Sequence, residues 1–206
     1  MRRRTGASIS LAFLCVGCAI GGVQQTPFTG PAPSAVLVLP PVSLREGLAA
    51  EIRGLAAGAE RALAGRGYRC MPIGAGYDLA RRCGALDTEQ PEPDALRRLR
   101  DQAGVDAVLR IEVSDWRIAS DPRLTAATWD VTWRLLSAAT GAQVWAQRLQ
   151  GTWSRPYDSQ DHLVRDPMEP QPAEIGGTLH DGFRSEQEII LALHQAACAR
   201  LPENRQ

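Results

Sequence analysis

Short apolar runs and one helical stripe alternate in the first part of the folded chain. Residues 35–39 (AVLVL) form a continuous apolar run, which is typical of a strand buried on both faces. Ser43 stands three residues before Glu46, and this capping box predicts the start of a helix. The helix would carry one apolar stripe, formed by Leu44, Leu48, Ile52, Leu55, Ala59 and Leu63. With a second strand over residues 68–73, the pattern predicts a right-handed βαβ unit.

Glycines interrupt this predicted helix, and a second helix follows after an irregular stretch. Gly47, Gly54 and Gly58 each cost up to about 1 kcal/mol against alanine, so packing on a sheet must hold the helix. Residues 74–90 show no regular period. Residues 93–103 then predict a second helix, because inward leucines lie on one side and a glycine follows directly as a stop signal.

The next part of the chain changes from a helical period to strict alternation. Alternating segments lie at residues 106–119, 124–136 and 143–154, with turns at 120–122 and 139–141 between them. Each segment keeps its apolar side chains on one face: Leu109, Ile111 and Val113, then Trp129, Val131, Trp133 and Leu135, then Trp145, Leu149 and Trp153. Three strands with short turns predict an antiparallel meander.

All the tryptophans of the chain lie in this meander, at Trp116, Trp129, Trp133, Trp145 and Trp153. They could form a binding platform for a sugar or lipid, or they could be core residues and cross-strand pairs. The structural interpretation is favoured. Trp116 falls on the polar face of its strand with Arg110, Glu112 and Ser114, so it is the candidate contact for a ligand or partner.

The carboxy-terminal part combines an irregular stretch with a closing helix. Residues 155–182 are rich in proline and acids and predict a long surface loop. Ser185 and Glu188 form a second capping box, and the helix that follows carries a stripe of Ile190, Leu193, Ala197 and Leu201. The elements together predict one α/β (α+β) domain over residues 35–206. Its single mixed sheet would join the βαβ unit to the three-stranded meander, with the helices packed on the sheet.

The first 17 residues predict a lipoprotein signal peptide. Arginines at residues 2–4 precede an uncharged apolar stretch over 7–17, which is too short for a transmembrane helix of about 20 residues. The stretch ends in LCVGC, which resembles a bacterial lipobox, although Cys15 stands where leucine is usual. We therefore predict that Cys18 is lipidated with palmitate-type acyl chains and becomes the first residue of the mature chain. The alternative is an ordinary signal peptide with a chance cysteine.

The residues after Cys18 predict a membrane location and a flexible tether. An aspartate after the lipidated cysteine would favour the inner membrane, so Ala19 favours the periplasmic face of the outer membrane, with the inner membrane as the alternative. Residues 19–34 are rich in Gly, Pro, Gln and Thr without any period, so we predict a flexible tether over 18–34. Fully extended, it would reach about 50 Å.

The charge composition removes several classes of function. The 206 residues carry 23 basic and 23 acidic residues, and every base is arginine. After cleavage the mature chain has a formal charge of −3, so we expect no nucleic-acid partner, which would need a basic excess. A chain without lysine also lacks the Walker lysine and the Schiff-base lysine.

The cysteines allow one bridge within the domain. Cys70, Cys83 and Cys198 remain after cleavage and lipidation. A disulfide between Cys70 and Cys83 would close a short loop and contribute about 3 kcal/mol if it is unstrained. Cys198 is expected to be a small buried side chain of the last helix.

The sequence offers no set of residues for catalysis or for a cofactor. His162 and His180 lie in or near the acidic loop, and His194 lies beside the stripe of the last helix, where we expect a surface position. None of them has metal-ligand spacing, so we predict no metal, no cofactor and no enzyme. Arginines cluster at residues 81–82 and 97–100. They could contact anionic lipid head groups or form a solvated helix face, and the second interpretation is favoured.

Several short motifs together resemble a family of small Gram-negative lipoproteins of unknown function. They are AVLVLPPV at residues 35–42, GYRCMPI at 67–73, GVDAVLRIEVSDW at 104–116 and ATGAQVWAQRL at 139–149. The resemblance implies a fold similar to the amino-terminal domain of TolB and to the lipoproteins CsgG and LpoB. It also implies a module that binds a partner in envelope assembly.

We therefore predict a lipid-anchored envelope lipoprotein whose periplasmic domain binds a protein partner without catalysing a reaction. An oligomer of this chain is left open. The alternative is an auxiliary lipoprotein of a lipid-transport complex that binds a lipid or another apolar ligand. That alternative requires an apolar groove reached by Trp116 or by the 155–182 loop.

Overall fold

The computed structural model describes residues 23–45, 52, 54–86, 91–120, 124–154, 173–175, 178–180 and 183–204. The predictions for the signal peptide, for Cys18 and for most of the 155–182 loop lie outside these residues. In chain order the elements are β1 (Val23–Thr26), β2 (Ala35–Val38), β3 (Val42–Ser43), α1 (Gly54–Ala64), β4 (Arg69–Cys70), α2 (Ile73–Arg82), α3 (Pro93–Ala103), β5 (Ala107–Ser120), β6 (Leu124–Ser137), β7 (Gln143–Ser154), β8 (Ala173–Ile175), β9 (Thr178–His180) and α4 (Glu186–Cys198).

Seven of the described strands form one mixed sheet, in the order β1-β7-β6-β5-β2-β4, with β3 paired to β5. β2 runs parallel to both β4 and β5, and β5, β6 and β7 are antiparallel neighbours. The predicted fold class is therefore confirmed: a βαβ unit and a three-stranded meander share one sheet. A separate hairpin, formed by β8 and β9, lies within the segment that was predicted to be a loop.

Helices pack against both faces of the sheet. α1 and α4 cover one face and enclose the larger core, which contains all five tryptophans of the meander. Each of these tryptophans is at most 4% exposed, which confirms that they are core residues. α2 and α3 cover part of the other face and enclose a smaller core, where Leu96 and Leu99 meet Leu37 and Val108.

The first helix begins later than the sequence predicted. Ser43 lies in β3, and its hydroxyl accepts a hydrogen bond from the backbone N–H of Arg45 over 3.0 Å. β3 pairs with β5 and Leu44 N–H donates to the Val113 carbonyl over 2.9 Å, so this backbone continues the sheet and starts no helix. Leu44 and Arg45 are therefore not helical, and Glu46, the other half of the predicted capping box, lies outside the described residues. Leu44, predicted in the apolar stripe, is 57% exposed.

A helix replaces most of the stretch that showed no period. The second strand of the βαβ unit is only Arg69–Cys70, and α2 begins directly after Pro72. Gly76 lies against Leu37, and a Cβ at this glycine would stand 2.7 Å from Leu37 Cδ1. Close packing of α2 on the sheet therefore requires a glycine at this position. Because glycine lowers helix propensity, the same residue weakens the helical signal in the sequence.

The other two helices follow their sequence signals. α3 spans Pro93–Ala103 as predicted and ends at Gly104, whose φ of 61° is left-handed. At α4, Ser185 is the N-cap and its hydroxyl accepts the Glu188 N–H over 3.3 Å. The Glu188 carboxylate in turn accepts the N–H of Arg184 over 2.7 Å. Ser185 is therefore confirmed as the cap, and the Glu188 side chain bonds the residue before this cap and not Ser185 itself.

Part of the predicted tether is a strand of the sheet. β1 pairs with β7, from Val23 opposite Leu149 to Thr26 opposite Ala146. A strand at the edge of a sheet can be held by backbone hydrogen bonds alone, so it needs no alternation of apolar side chains. For that reason the composition of residues 19–34 did not indicate it.

His194 lies in the core and not on the surface of α4. It is fully buried, and its Nδ1 accepts a hydrogen bond from Trp133 Nε1–H over 2.9 Å. The two rings meet edge to face, with centroids 5.4 Å apart. Burial lowers the pKa of His194 to about 3, so the ring is neutral at physiological pH.

The close approach of α1 and α4 depends on Gly58. A Cβ at this position would lie 2.6 Å from both His194 Cδ2 and Ile190 Cγ2. We expect Gly58→Ala to lower the free energy of unfolding by about 1–3 kcal/mol, because overpacking outweighs the better helix propensity of alanine. Urea denaturation measures this loss. Gly74→Ala is the matched control, since nothing lies within 4 Å of its added Cβ, and equal losses in both variants would contradict the assignment.

Burial of a neutral His194 makes the stability depend on pH. Because the pKa is about 3 in the folded state, below the ordinary value near 6.5, the unfolded chain takes up a proton that the folded chain does not. The contribution is complete above about pH 6.5 and falls by up to about 1.4 kcal/mol per pH unit as the pH drops from there toward 3. Urea denaturation at several pH values gives the free energy of unfolding at each pH. Between about pH 6.5 and 3 this free energy should fall less steeply with pH in His194→Gln than in the wild type. An equal fall in both proteins would contradict this account.

Candidate functional site

The half of the sheet that α2 and α3 leave uncovered carries polar side chains. β5, β6 and β7 place them opposite the tryptophan core, because alternate residues of a strand point to opposite faces. We call this surface the meander face. It consists of Ser114, Asp115, Arg117, Thr128, Asp130, Thr132, Arg148, Gln150 and Thr152, all of which are exposed or half-buried.

A shallow cleft of about 560 Å³ lies on the meander face. The segment Leu44–Arg45, which follows β3, stands beside it as a wall. The lining consists of Leu44, Arg45, Ser114, Asp115, Thr128, Trp129, Asp130, Gln150, Gly151 and Thr152. Gly151 has a packing role here, since a Cβ would stand 2.8 Å from Trp129 Cζ2. The cleft is therefore mostly polar, with one exposed leucine at its border.

Two arginines hold Asp115 at one side of the cleft. Arg45 Nη1 lies 3.1 Å from Asp115 Oδ1, and Arg117 Nη2 lies 2.6 Å from Asp115 Oδ2. The arginine side chains are 62% and 67% exposed, whereas that of Asp115 is 16% exposed. The cations therefore form the outer layer of this ion-pair group, and the carboxylate lies beneath them.

A second ion pair holds the other carboxylate of the cleft. Arg148 donates to Asp130 in a fork, from Nε to Oδ1 over 2.8 Å and from Nη2 to Oδ2 over 2.6 Å. The hydrogen bond to Asp130 raises the pKa of Arg148 above its ordinary value. Such bidentate pairs fix the orientation of both groups.

These contacts decide what the cleft can do chemically. Both of its carboxylates accept from guanidinium groups, so they are arranged as ion-pair partners and not as a free acid and base. Among the residues that the structure describes, no three His, Cys, Asp or Glu side chains come together to hold a metal ion. The arrangement suits recognition of a ligand through hydrogen bonds and surface charge.

Trp116, the predicted contact, is not part of this face. It is fully buried in the larger core, where its Nε1–H donates to Glu186 Oε1 over 3.1 Å. A register shift between Val113 and Asp115 inserts an extra residue in β5 and turns Trp116 to the core face. The prediction of a polar-face position, which counted strict alternation from Leu109, is wrong for that reason.

The cysteines of the domain are free thiols, and Cys83 lies on the other face of the sheet from Cys70 and Cys198. Cys70 packs against the larger core, and Cys83 is buried in the smaller core on the opposite face of the sheet. The predicted bridge between them is not formed. Cys198 is 1% exposed, as expected of a small core residue. Burial raises the pKa of Cys70 to about 11 and that of Cys198 to about 12, so both stay protonated.

The arginine clusters lie on α2 and α3, the helices that cover the same side of the sheet as the meander face. Arg81 and Arg82 end α2 and are exposed, whereas Arg98 donates to the Cys83 carbonyl through Nε and Nη2 over 3.1 and 2.7 Å. Arg97 pairs with Asp94. Both interpretations of the clusters, head-group contact and solvated helix face, stay predictions.

Of the predicted histidine group, only part can be placed. His162 lies outside the described residues, and His180 ends β9. His194 lies in the core, far along the chain from both. The cleft residues have no catalytic spacing in the sequence, and only the pairing of β3 with β5 brings Leu44 and Arg45 beside β5. The signal that could have found them is the alternation of Asp and Arg on the polar face of β5–β7, at Asp115, Arg117, Asp130 and Arg148.

Comparison with known proteins identifies the family. Residues 23–166 match the model of the GNA1162-like family, described as "Putative lipoprotein GNA1162-like". The match covers more than half of the chain, so the protein belongs to this family. The family match confirms the resemblance that the sequence motifs indicated. It makes the chain a member of a lipoprotein family of the cell envelope.

The fold is similar to that of the solved structure of PelC, and two further solved structures match more weakly. PelC from Paraburkholderia phytofirmans, solved as a dodecamer, is 19% identical with a TM-score of 0.52, over 91% of this chain and 100% of PelC. Lipoprotein GNA1162 from Neisseria meningitidis is 22% identical with a TM-score of 0.47, over 64% of this chain and 89% of that one. The LpoB C-terminal domain from Escherichia coli is 16% identical with a TM-score of 0.40, over 62% and 87%. No curated protein matches this chain.

Replacing the exposed arginines of the cleft should leave the domain folded. Arg45 and Arg117 are well exposed, and exposed ion pairs contribute about 0–1 kcal/mol. We expect the double variant Arg45→Gln, Arg117→Gln to unfold within about 1 kcal/mol of the wild type in urea. A larger loss would show that these arginines hold the fold and are not available to a ligand.

Proposed function

We propose that this protein is anchored to the periplasmic face of the outer membrane through lipidated Cys18, and that its domain acts by binding a protein partner at the meander face. The inner membrane is the alternative location. The proposed role involves no catalysis. It is the role expected of a family of envelope lipoproteins.

The observation that carries the proposal is the cleft of about 560 Å³ with its layered charges. Arginines lie outside, Asp115 and Asp130 lie beneath them, and Leu44 is exposed at the border. An exposed apolar residue beside arginines is a combination that protein interfaces favour. Its carboxylates are held in ion pairs, which supports binding more than acid–base chemistry.

The alternative of an apolar ligand has less support. It needs an apolar groove, and the described cleft is lined mostly by charged and polar side chains, with Leu44 and Trp129 as its large apolar residues. The tryptophans that would line such a groove are buried in the core. Native mass spectrometry of the purified protein would reveal a bound lipid if this alternative were correct.

A second copy of the chain is a further candidate partner. The similar structure of PelC is a dodecamer, which supports testing self-association of this chain. Mass photometry of the purified protein separates the two kinds of partner, because an assembly of identical copies forms without any added protein.

The anchor is tested by Cys18→Ala. We expect the wild type to incorporate an alkyne-labelled fatty acid and to float with membranes, because several acyl chains anchor a protein stably. Cys18→Ala should lose both properties. Cys15→Ala is the matched control, since this residue lies in the segment that cleavage removes. Equal labelling of wild type and Cys18→Ala would contradict the lipoprotein assignment.

Partner binding is tested by crosslinking in cells. A photo-crosslinking amino acid in place of Thr152, in the cleft, should form a protein adduct, and one in place of Arg61, exposed on α1 at the opposite face, should not. The double variant Arg45→Gln, Arg117→Gln should reduce the Thr152 adduct. Equal adducts at both positions, or none at Thr152, would contradict the proposed surface.

A further inference from the structure

The covalent distance from the lipid anchor to the fold is short. Val23, the first residue of β1, stands five positions after Cys18, with four residues between them. A chain spans at most about 3.3–3.6 Å per residue, so Val23 lies within about 17 Å of the Cys18 Cα whatever path the chain takes. This is about a third of the reach expected of a tether that ended at residue 34.

Several contacts prevent the tether from lengthening beyond Val23. β1 is held by its pairing with β7, Thr29 N–H donates to the Val144 carbonyl over 2.9 Å, and Phe28 packs against the larger core. Asp106 Oδ2 then accepts from Ser34 N over 2.9 Å and from Ser34 Oγ over 2.5 Å. More length is released only if these contacts break.

β1 also fixes where on the domain the anchor is attached. Val23 lies opposite Leu149, and the next residues of β7, Gln150 to Thr152, line the cleft. Neighbouring strands are about 4.8 Å apart, so β5 is about 15 Å from β1 across the sheet and the Arg45 wall beside it about 19 Å. The whole cleft therefore lies within about 40 Å of the Cys18 Cα.

The charge of the cleft indicates the chemistry of its occupant. The most exposed charged side chains on and beside it are Arg45, Arg117 and Arg148, and each pairs with a carboxylate that is at most 18% exposed. An approaching partner meets these cations first. An acidic segment is therefore complementary to this surface.

We propose that the partner of the meander face is an acidic segment that another envelope protein holds at the surface of the same membrane. This inference rests on the proposed function and narrows it. The short anchor keeps the cleft at the membrane surface, so a segment confined to that surface meets it at high effective concentration. A partner that reaches the protein from across the periplasm gains nothing from the short anchor.

The first experiment measures the distance of the cleft from the bilayer. The lipidated mature chain with Cys70→Ala and Thr152→Cys carries a donor dye at position 152. It is bound to phosphatidylethanolamine–phosphatidylglycerol vesicles whose head groups carry the acceptor dye. We expect strong energy transfer in the parent. An insertion of about 20 Gly and Ser residues between Gly21 and Gly22 raises the root-mean-square reach of the linker from about 12 to about 28 Å and should weaken the transfer. The same insertion after Gln206 should change nothing. Equally weak energy transfer in the parent chain and in both insertion variants overturns the inference.

The second experiment asks whether the partner needs the short anchor. Crosslinking from position 152 in cells is compared between the parent chain and the same insertion variant. Lengthening the anchor from about 5 to about 25 residues lowers the effective concentration about tenfold, and the adduct should fall accordingly. An unchanged protein adduct, or an adduct whose mass is that of a phospholipid, overturns the inference. No adduct in either chain, or flotation of Cys18→Ala with vesicles, instead refutes the proposed function on which the inference rests.

Discussion

The register of β5 against β6 decides which side chains of this protein reach solvent. Fourteen-residue strands place every second side chain toward α1 and α4, and all five tryptophans point that way. The shift between Val113 and Asp115 keeps Trp116 in the core and turns Asp115 outward. One inserted residue therefore serves both faces: it completes the core and supplies the cleft with the carboxylate that Arg45 and Arg117 bind.

Close helix packing on the tryptophan core is the second requirement. His194 accepts the Trp133 N–H in the interior, and Gly58 gives the ring room against α1. A neutral imidazole can accept this bond at little cost, whereas a charged one would be buried without compensation. This explains a polar residue in the core of a domain whose other described core side chains are almost all apolar.

Much of the fold could be predicted from the sequence because its elements follow simple periods. α3, α4 and the meander were predicted within a few residues, since their apolar spacing is unambiguous. β1 and α2 were not, because backbone pairing at a sheet edge and close glycine packing produce no apolar pattern. The cleft was missed for a different reason: it forms between Leu44–Arg45 and β5, and only the pairing of β3 with β5 brings them together.

The proposed function joins three features: the proposed lipidation of Cys18, an edge strand that begins five positions later, and a cleft beside that strand. Its central claim is that the meander face is occupied by a partner in the cell. The most direct measurement is labelling of Gln150→Cys with a membrane-impermeant maleimide, in permeabilised cells and in purified protein, with Arg61→Cys as the reference. The account predicts protection of position 150 in cells only, and equal reactivity of position 61 in both. Full reactivity of position 150 in cells would contradict it.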